Sequence, residues 1–236
     1  MMNPTVEALL VLQERDARVT VLTAELDALP GQIAAVDREV AMRTAKFDEL
    51  KSRTRQIEAD RKKIDLDVQS KQVAISRYKS QQQQTRKNEE FAALNHEIEH
   101  AETEISALED SELELMEAYD KGLARVAEAQ KDLLVFQEKA KHKKADLEKR
   151  ATTVSADLIA AEEKQAVAEK AVPEDAVPRY RRILKSKRDV AIVPIRSGAC
   201  AGCHMKLTSQ TVLTARAAEH LVACENCGRL VYWADE

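Results

Sequence analysis

The chain has 236 residues, room for one or two domains, with 33% charged residues, 3% aromatics and only five glycines and five prolines. So few turn-formers, beside so much Ala, Glu, Lys, Leu and Arg, argue against a loop-rich compact globule and for long helices. A net charge of −4 gives no general attraction to nucleic acid or membrane. The opening "MMNPTVEALLVLQERD" carries acids early and no basic signal segment, and no apolar run of spanning length is read, so a cytoplasmic location without membrane insertion is expected.

The first element is a helical arm. Steps of three and four from Leu12 pass through Val19, Leu22, Leu26, Leu29, Ile33, Val36, Val40, Phe47, Leu50, Thr54, Ile57, Ile64, Val68, Ile75 and Tyr78, a heptad seam. It keeps register through Pro30-Gly31, which therefore reads as a kink rather than a domain boundary. Beyond Tyr78 the register meets Gln82, Thr85 and Glu89. A second seam starts out of phase: Phe91, Leu94, Ile98, Ala101, Ile105, Leu108, Leu115, Tyr119, Gly122, Val126, Ala129, Leu133, Phe136, Ala140, Leu147 and Val154. The break at 79–90, "KSQQQQTRKNEE", is the expected tip, with Asn88 as an N-cap. Each arm is about 80 residues, or about 120 Å.

Charge bears on the pairing of the arms. If Tyr78 meets Phe91, residue i faces roughly residue 169 − i. Residues 91–120 hold ten acids and no Lys or Arg, against eight bases and five acids in 49–78. Residues 121–150 hold nine bases and five acids, against five acids and three bases in 19–48. The blocks complement one another in sign, which selects orientation and favours a folded-back hairpin. One continuous helix in an intermolecular coiled coil is the alternative.

The expected division is residues 1–171 as an antiparallel coiled-coil hairpin and 172–236 as a linker helix with a β ribbon. Pro173 and Pro178 end the long helix, and a short helix follows. Residues 172–196 carry seven bases and three acids. This stretch is either a docking patch for nucleic acid or an acidic protein, or a basic helix packed on acidic parts of its own chain. Arg179, Arg181, Arg182 and Lys185 are its candidate contacts. At the tip the candidates are Arg77, Lys79, Arg86, Lys87, Glu90 and Phe91.

The last 37 residues hold all four cysteines, as C-x2-C (Cys200, Cys203) and C-x2-C (Cys224, Cys227) separated by 20 residues. Two tight turns of this kind form a tetrahedral thiolate cage. Strands are expected at 190–195, 221–224 and 229–233, which together make a zinc ribbon holding one structural Zn2+. Iron has the same ligand preference. A redox dithiol and a C-x-x-C-H haem site are the weaker readings, since neither explains the second pair. Gly202 and Gly228 are assigned to left-handed turn positions. No phosphate loop or nucleophile–base constellation is present, so neither an enzyme nor a small-molecule substrate is expected. His96 and His100, four apart on one helix, read as a solvated face.

"TRKNEEFAALNHEIE" (85–99), "VPEDAVPRYRRIL" (172–184), "SGACAGCHMKL" (197–207) and "CENCGRLVYW" (224–233) together resemble a bacterial family. It is the four-cysteine zinc-ribbon family with a long coiled-coil hairpin, formerly a domain of unknown function. Where that family has Lys-Glu-Tyr, this chain has Glu89-Glu90-Phe91. The resemblance implies a non-enzymatic cytoplasmic adaptor whose relatives are linked to the enhancer-dependent sigma factor, to the stator of flagellar or type III export, and to nucleic acid. A regulator acting directly on RNA polymerase or nucleic acid is the alternative.

Overall fold

The computed structural model describes residues 2–234. Two long helices, α1 (Pro4–Gln84) and α2 (Asn88–Lys170), are followed by α3 (Ala176–Lys187), β1 (Ile192–Arg196), β2 (Ala199–Cys200), α4 (Ser209–Ala217), β3 (Val222–Ala223) and β4 (Leu230–Trp233). The chain divides into two compact units: residues up to Ile33 together with those from Ala145 onward, and Ala34–Lys144. We call them the base unit and the distal unit.

The distal unit is a two-helix seam. Every second-arm position from Leu94 to Ala140 on the heptad path is at least half-buried. The pairing differs from expectation. Thr54 lies against Gly122 and Lys71 binds Glu104 at 2.7 Å, six to seven residues beyond the partners that Tyr78 meeting Phe91 requires. Tyr78 packs instead with Ile75, Ile98 and Ala101, and Phe91 is exposed. The cause is local. Glutamine is a good helix former, so α1 continues through "KSQQQQ" to Gln84. A polar layer of Gln82 and Asn95 then carries the seam four residues past its last apolar residue, Tyr78. The turn is only residues 85–87. Glu90 ties it, accepting from Thr85 Oγ1 at 2.7 Å and Lys87 Nζ at 2.9 Å.

The charge blocks survive this shift of register. The distal ion pairs that bridge the helices are Lys71–Glu104, Lys79–Glu102 and Lys144–Asp37. Arg150–Glu25 bridges them in the base unit. All but Lys79–Glu102, whose lysine lies one residue beyond its block, join blocks of the expected opposite sign.

In the base unit α1 runs unbroken through Pro30. A stretch near its N-terminus reaches the length and mean hydropathy of a membrane span, which the sequence reading did not register. Its apolar residues include Leu22, buried against Val154 of α2. The long helix ends at Lys170, before Pro173, but Pro178 ends nothing. It sits in the first turn of α3, where no backbone N–H is needed.

The sheet has strand order β2-β1-β4-β3, with β1 and β4 parallel and both outer pairs antiparallel. Side-chain alternation splits its two faces. Ile192 and Leu230 join Leu9, Leu12 and Tyr180 in the helical core. Val193, Ile195 and Val231 join Cys200, Cys224 and Ala215 in the ribbon core.

Gln13 fastens α1 to β1, its amide oxygen accepting from Ala191 N and Ile192 N and its amide nitrogen donating to Ile192 O. Asn3 caps α1 through Thr5 N and donates to Ala218 O beyond α4.

Candidate metal centre

Each cysteine pair sits in a backbone loop, and the two loops are built alike. Cys200 N donates to Met205 O and His204 N to Cys200 O; Cys224 N donates to Arg229 O and Gly228 N to Cys224 O. In both loops the fourth residue after the first cysteine is left-handed: His204 at φ 59° and Gly228 at φ 73°. The left-handed position expected at Gly202 therefore belongs to His204. Gly202 is small for another reason: an added Cβ would meet Arg229 Cδ at 2.7 Å.

The four sulfurs all lie within 4.8 Å of one another. Cys200 to Cys227 is 3.9 Å and Cys203 to Cys224 is 3.7 Å. A tetrahedron with Zn–S of about 2.3 Å has edges of about 3.8 Å, so these residues fit a zinc ion without rearrangement. Burial pushes the Cys200 thiol up to about 12 and raises Cys224 in the same direction. Burial also pushes on Cys227, but the Arg229 N–H, the neighbouring thiols and the Arg229 guanidinium outweigh it and hold that thiol at about 7. A metal entering here displaces thiol protons, which ties its affinity to pH. All four positions are filled by protein, so the centre has no open site for chemistry.

The support around the cage is mostly missed by sequence reasoning. Arg229 is buried, donating to Val190 O, Gly202 O and both oxygens of Asp189. It thus links the linker to both cysteine loops. The signal available was an arginine directly after the second C-x2-C-G. Glu225, inside the second loop, accepts from Thr208 and Thr211 at the start of α4. Helix α4 itself was not foreseen, although Thr208 is an N-cap ahead of helix-compatible residues.

A second unforeseen cluster lies at the base. Asp16, buried on α1, accepts from the Tyr180 hydroxyl at 2.6 Å, from Arg181 Nη1 at 2.9 and 3.0 Å and from Gln165. Arg181 also binds Glu169. Arg181 is therefore committed within the chain rather than free as a docking contact, and Arg179 donates to Leu221 O. Arg182 and Lys185 remain exposed. Burial, with the Asp16 hydrogen bond, raises the Tyr180 phenol above its ordinary value. At the distal turn Arg77, Arg86 and Phe91 are exposed, whereas Lys79, Lys87 and Glu90 are engaged with Glu102 and with one another.

Comparison with known proteins accounts for both halves. Residues 12–188 match the CT398-like coiled coil hairpin domain, and residues 199–231 match a C4-type zinc ribbon domain. The chain belongs to the CT398-like hairpin family. The centre is accordingly a structural zinc site. The family's Chlamydia trachomatis structure, CT398, is similar with a TM-score of 0.84 at 22% identity over 98% of both chains. The HP0958 protein of Helicobacter pylori gives 0.61 at 15% identity over 100% of this chain and 99% of that one. A Mycobacterium smegmatis protein gives 0.63 at 16% identity over 99% and 100%. At these identities the likeness is one of fold. No curated protein matches.

Proposed function

We propose that the protein is a non-enzymatic cytoplasmic adaptor that binds protein partners, with the zinc ribbon stiffening the base and the distal turn making contact. A coiled-coil hairpin joined to a zinc ribbon fits a scaffold role. One observation supports placing contact at the turn: Phe91, Arg86 and Arg77 are exposed there, outside the seam and beside a turn held by Glu90. An exposed aromatic, with exposed arginines elsewhere in the same turn region, has the composition of an interface anchor. The family resemblance suggests an alternative sigma factor or export-stator proteins as partners.

The test is a pull-down from the source organism's lysate with the zinc-loaded full chain, beside Phe91→Ala and Arg86→Ala. Capture of a sigma factor or stator protein by the native chain, lost in both variants, is the expected result. If core RNA polymerase or nucleic acid is captured instead, and is lost between about 50 and about 200 mM salt, the regulator reading replaces this one.

A further inference from the structure

We propose that the distal unit carries a second, self-complementary seam through which two copies of the chain pair, α2 against α2, antiparallel. Leu113, Met116, Leu123 and Leu134 are exposed, each between 41% and 60%. They are not scattered. With exposed Ala127 they occupy successive heptad positions, interrupted only by Asp120 and Gln130. The path runs one residue ahead of the inner seam of Leu115, Tyr119, Gly122, Val126 and Leu133, about 100° further round the helix. These side chains therefore belong to a stripe that α1 does not cover. From Leu113 to Leu134 it is about 33 Å long, three heptads.

Charge identifies the occupant. Within the stripe, residues 113–120 hold three acids and no Lys or Arg, and residues 121–134 hold three bases and two acids, so the sign changes between Asp120 and Lys121. A parallel copy would set acid against acid. An antiparallel copy turned about Arg125 sets the acidic half against the basic half twice over, as a two-fold contact requires. With Met116 opposite Leu134, Leu123 lies opposite Ala127 and Glu117 comes alongside Lys131 of the other copy. A basic peptide would match only the acidic half of the stripe and leave the other uncovered.

Sedimentation velocity on the zinc-loaded full chain, up to about 0.2 mM, reads the association directly. A dimer that weakens with salt is expected. Leu123→Glu and, separately, Leu113→Glu should yield monomers with unchanged helical circular dichroism, since both side chains face solvent. The double variant Lys121→Glu/Lys131→Glu should weaken association by about tenfold or more, and mixing it with Glu114→Lys/Glu117→Lys should restore a heterodimer. Carbodiimide cross-linking should join Glu117 to Lys131. A chain that stays monomeric throughout overturns the proposal. So does a dimer indifferent to both leucine substitutions, or one cross-linked in parallel register.

Discussion

The base and distal units use the same two helices and bury them differently. All the side chains with essentially no exposure, including Leu9, Leu12, Leu22, Tyr180 and Leu230, lie in the base unit. In the distal unit the most enclosed position is Thr54, still 5% exposed, and Ile75 retains 8%. Along the base α1 and α2 enclose Leu22 and Val154 between themselves. Around Leu9 and Leu12, α3 and the sheet add further layers. Buried apolar area sets stability, so the base is the stable part and the distal unit is the part that opens first.

Removing the metal should disturb the comparison most. Structural zinc contributes on the order of 10–16 kcal/mol in small zinc folds. Cys224→Ser, or chelation, should abolish amide protection in the ribbon and loosen α1 around Leu9, which shares a core with Ile192 and Leu230. Protection in 34–144 should persist in hydrogen exchange. Uniform loss along the whole chain would show that the units are not separable.

Asp16→Ala comes next. It leaves Tyr180 and Arg181 without their shared acceptor, a break that costs about 3–5 kcal/mol when fully buried. Arg181 is partly exposed, which places the expected loss at the lower end, and urea denaturation would measure it. Leu12→Ala should cost about 3–5 kcal/mol and Ile75→Ala about 2, because the two-helix seam can relax or admit water. Equal losses would erase the distinction between the units.

Alkali offers a gentler probe. The Tyr180 phenol is raised in the folded state, so its contribution is complete below about pH 10 and is lost above it, as unfolded chains shed the proton and folded ones keep it. At pH 11 the loss is about 1.4 kcal/mol, and Tyr180→Phe should remove the pH dependence. The smallest effect is expected from Lys71→Ala. Its bridge to Glu104 is largely solvated and should change stability by at most about 1 kcal/mol, vanishing in high salt.

Much of this was legible in the sequence. The seams of both helices, the sign of the charge blocks, the cysteine cage and most of the strands could be read because heptads, charge runs and C-x2-C spacings are local patterns. The register was not, because its last turn before the tip is written in Gln82 and Asn95 rather than in apolar residues. Asp16, Arg181 and Arg229 were hidden for a related reason. A charged residue looks solvated in sequence unless its partner is known, and these partners lie 12 to 165 positions away. Of the proposed contacts, the structure withdraws Arg181 from docking and leaves Arg182 and Lys185 exposed.

The Gln13 clamp has a consequence for synthesis. It joins residues 178 and 179 positions apart, and at about 5–20 residues per second the ribosome needs roughly 10 to 35 s to cover that distance. For that interval the first turns of α1 emerge with Leu9 and Leu12 and nothing to cover them. The distal pairing can form in the meantime, since both of its strands of sequence are made by residue 144. The protein therefore assembles from its middle outward, and its most stable region is the last to exist.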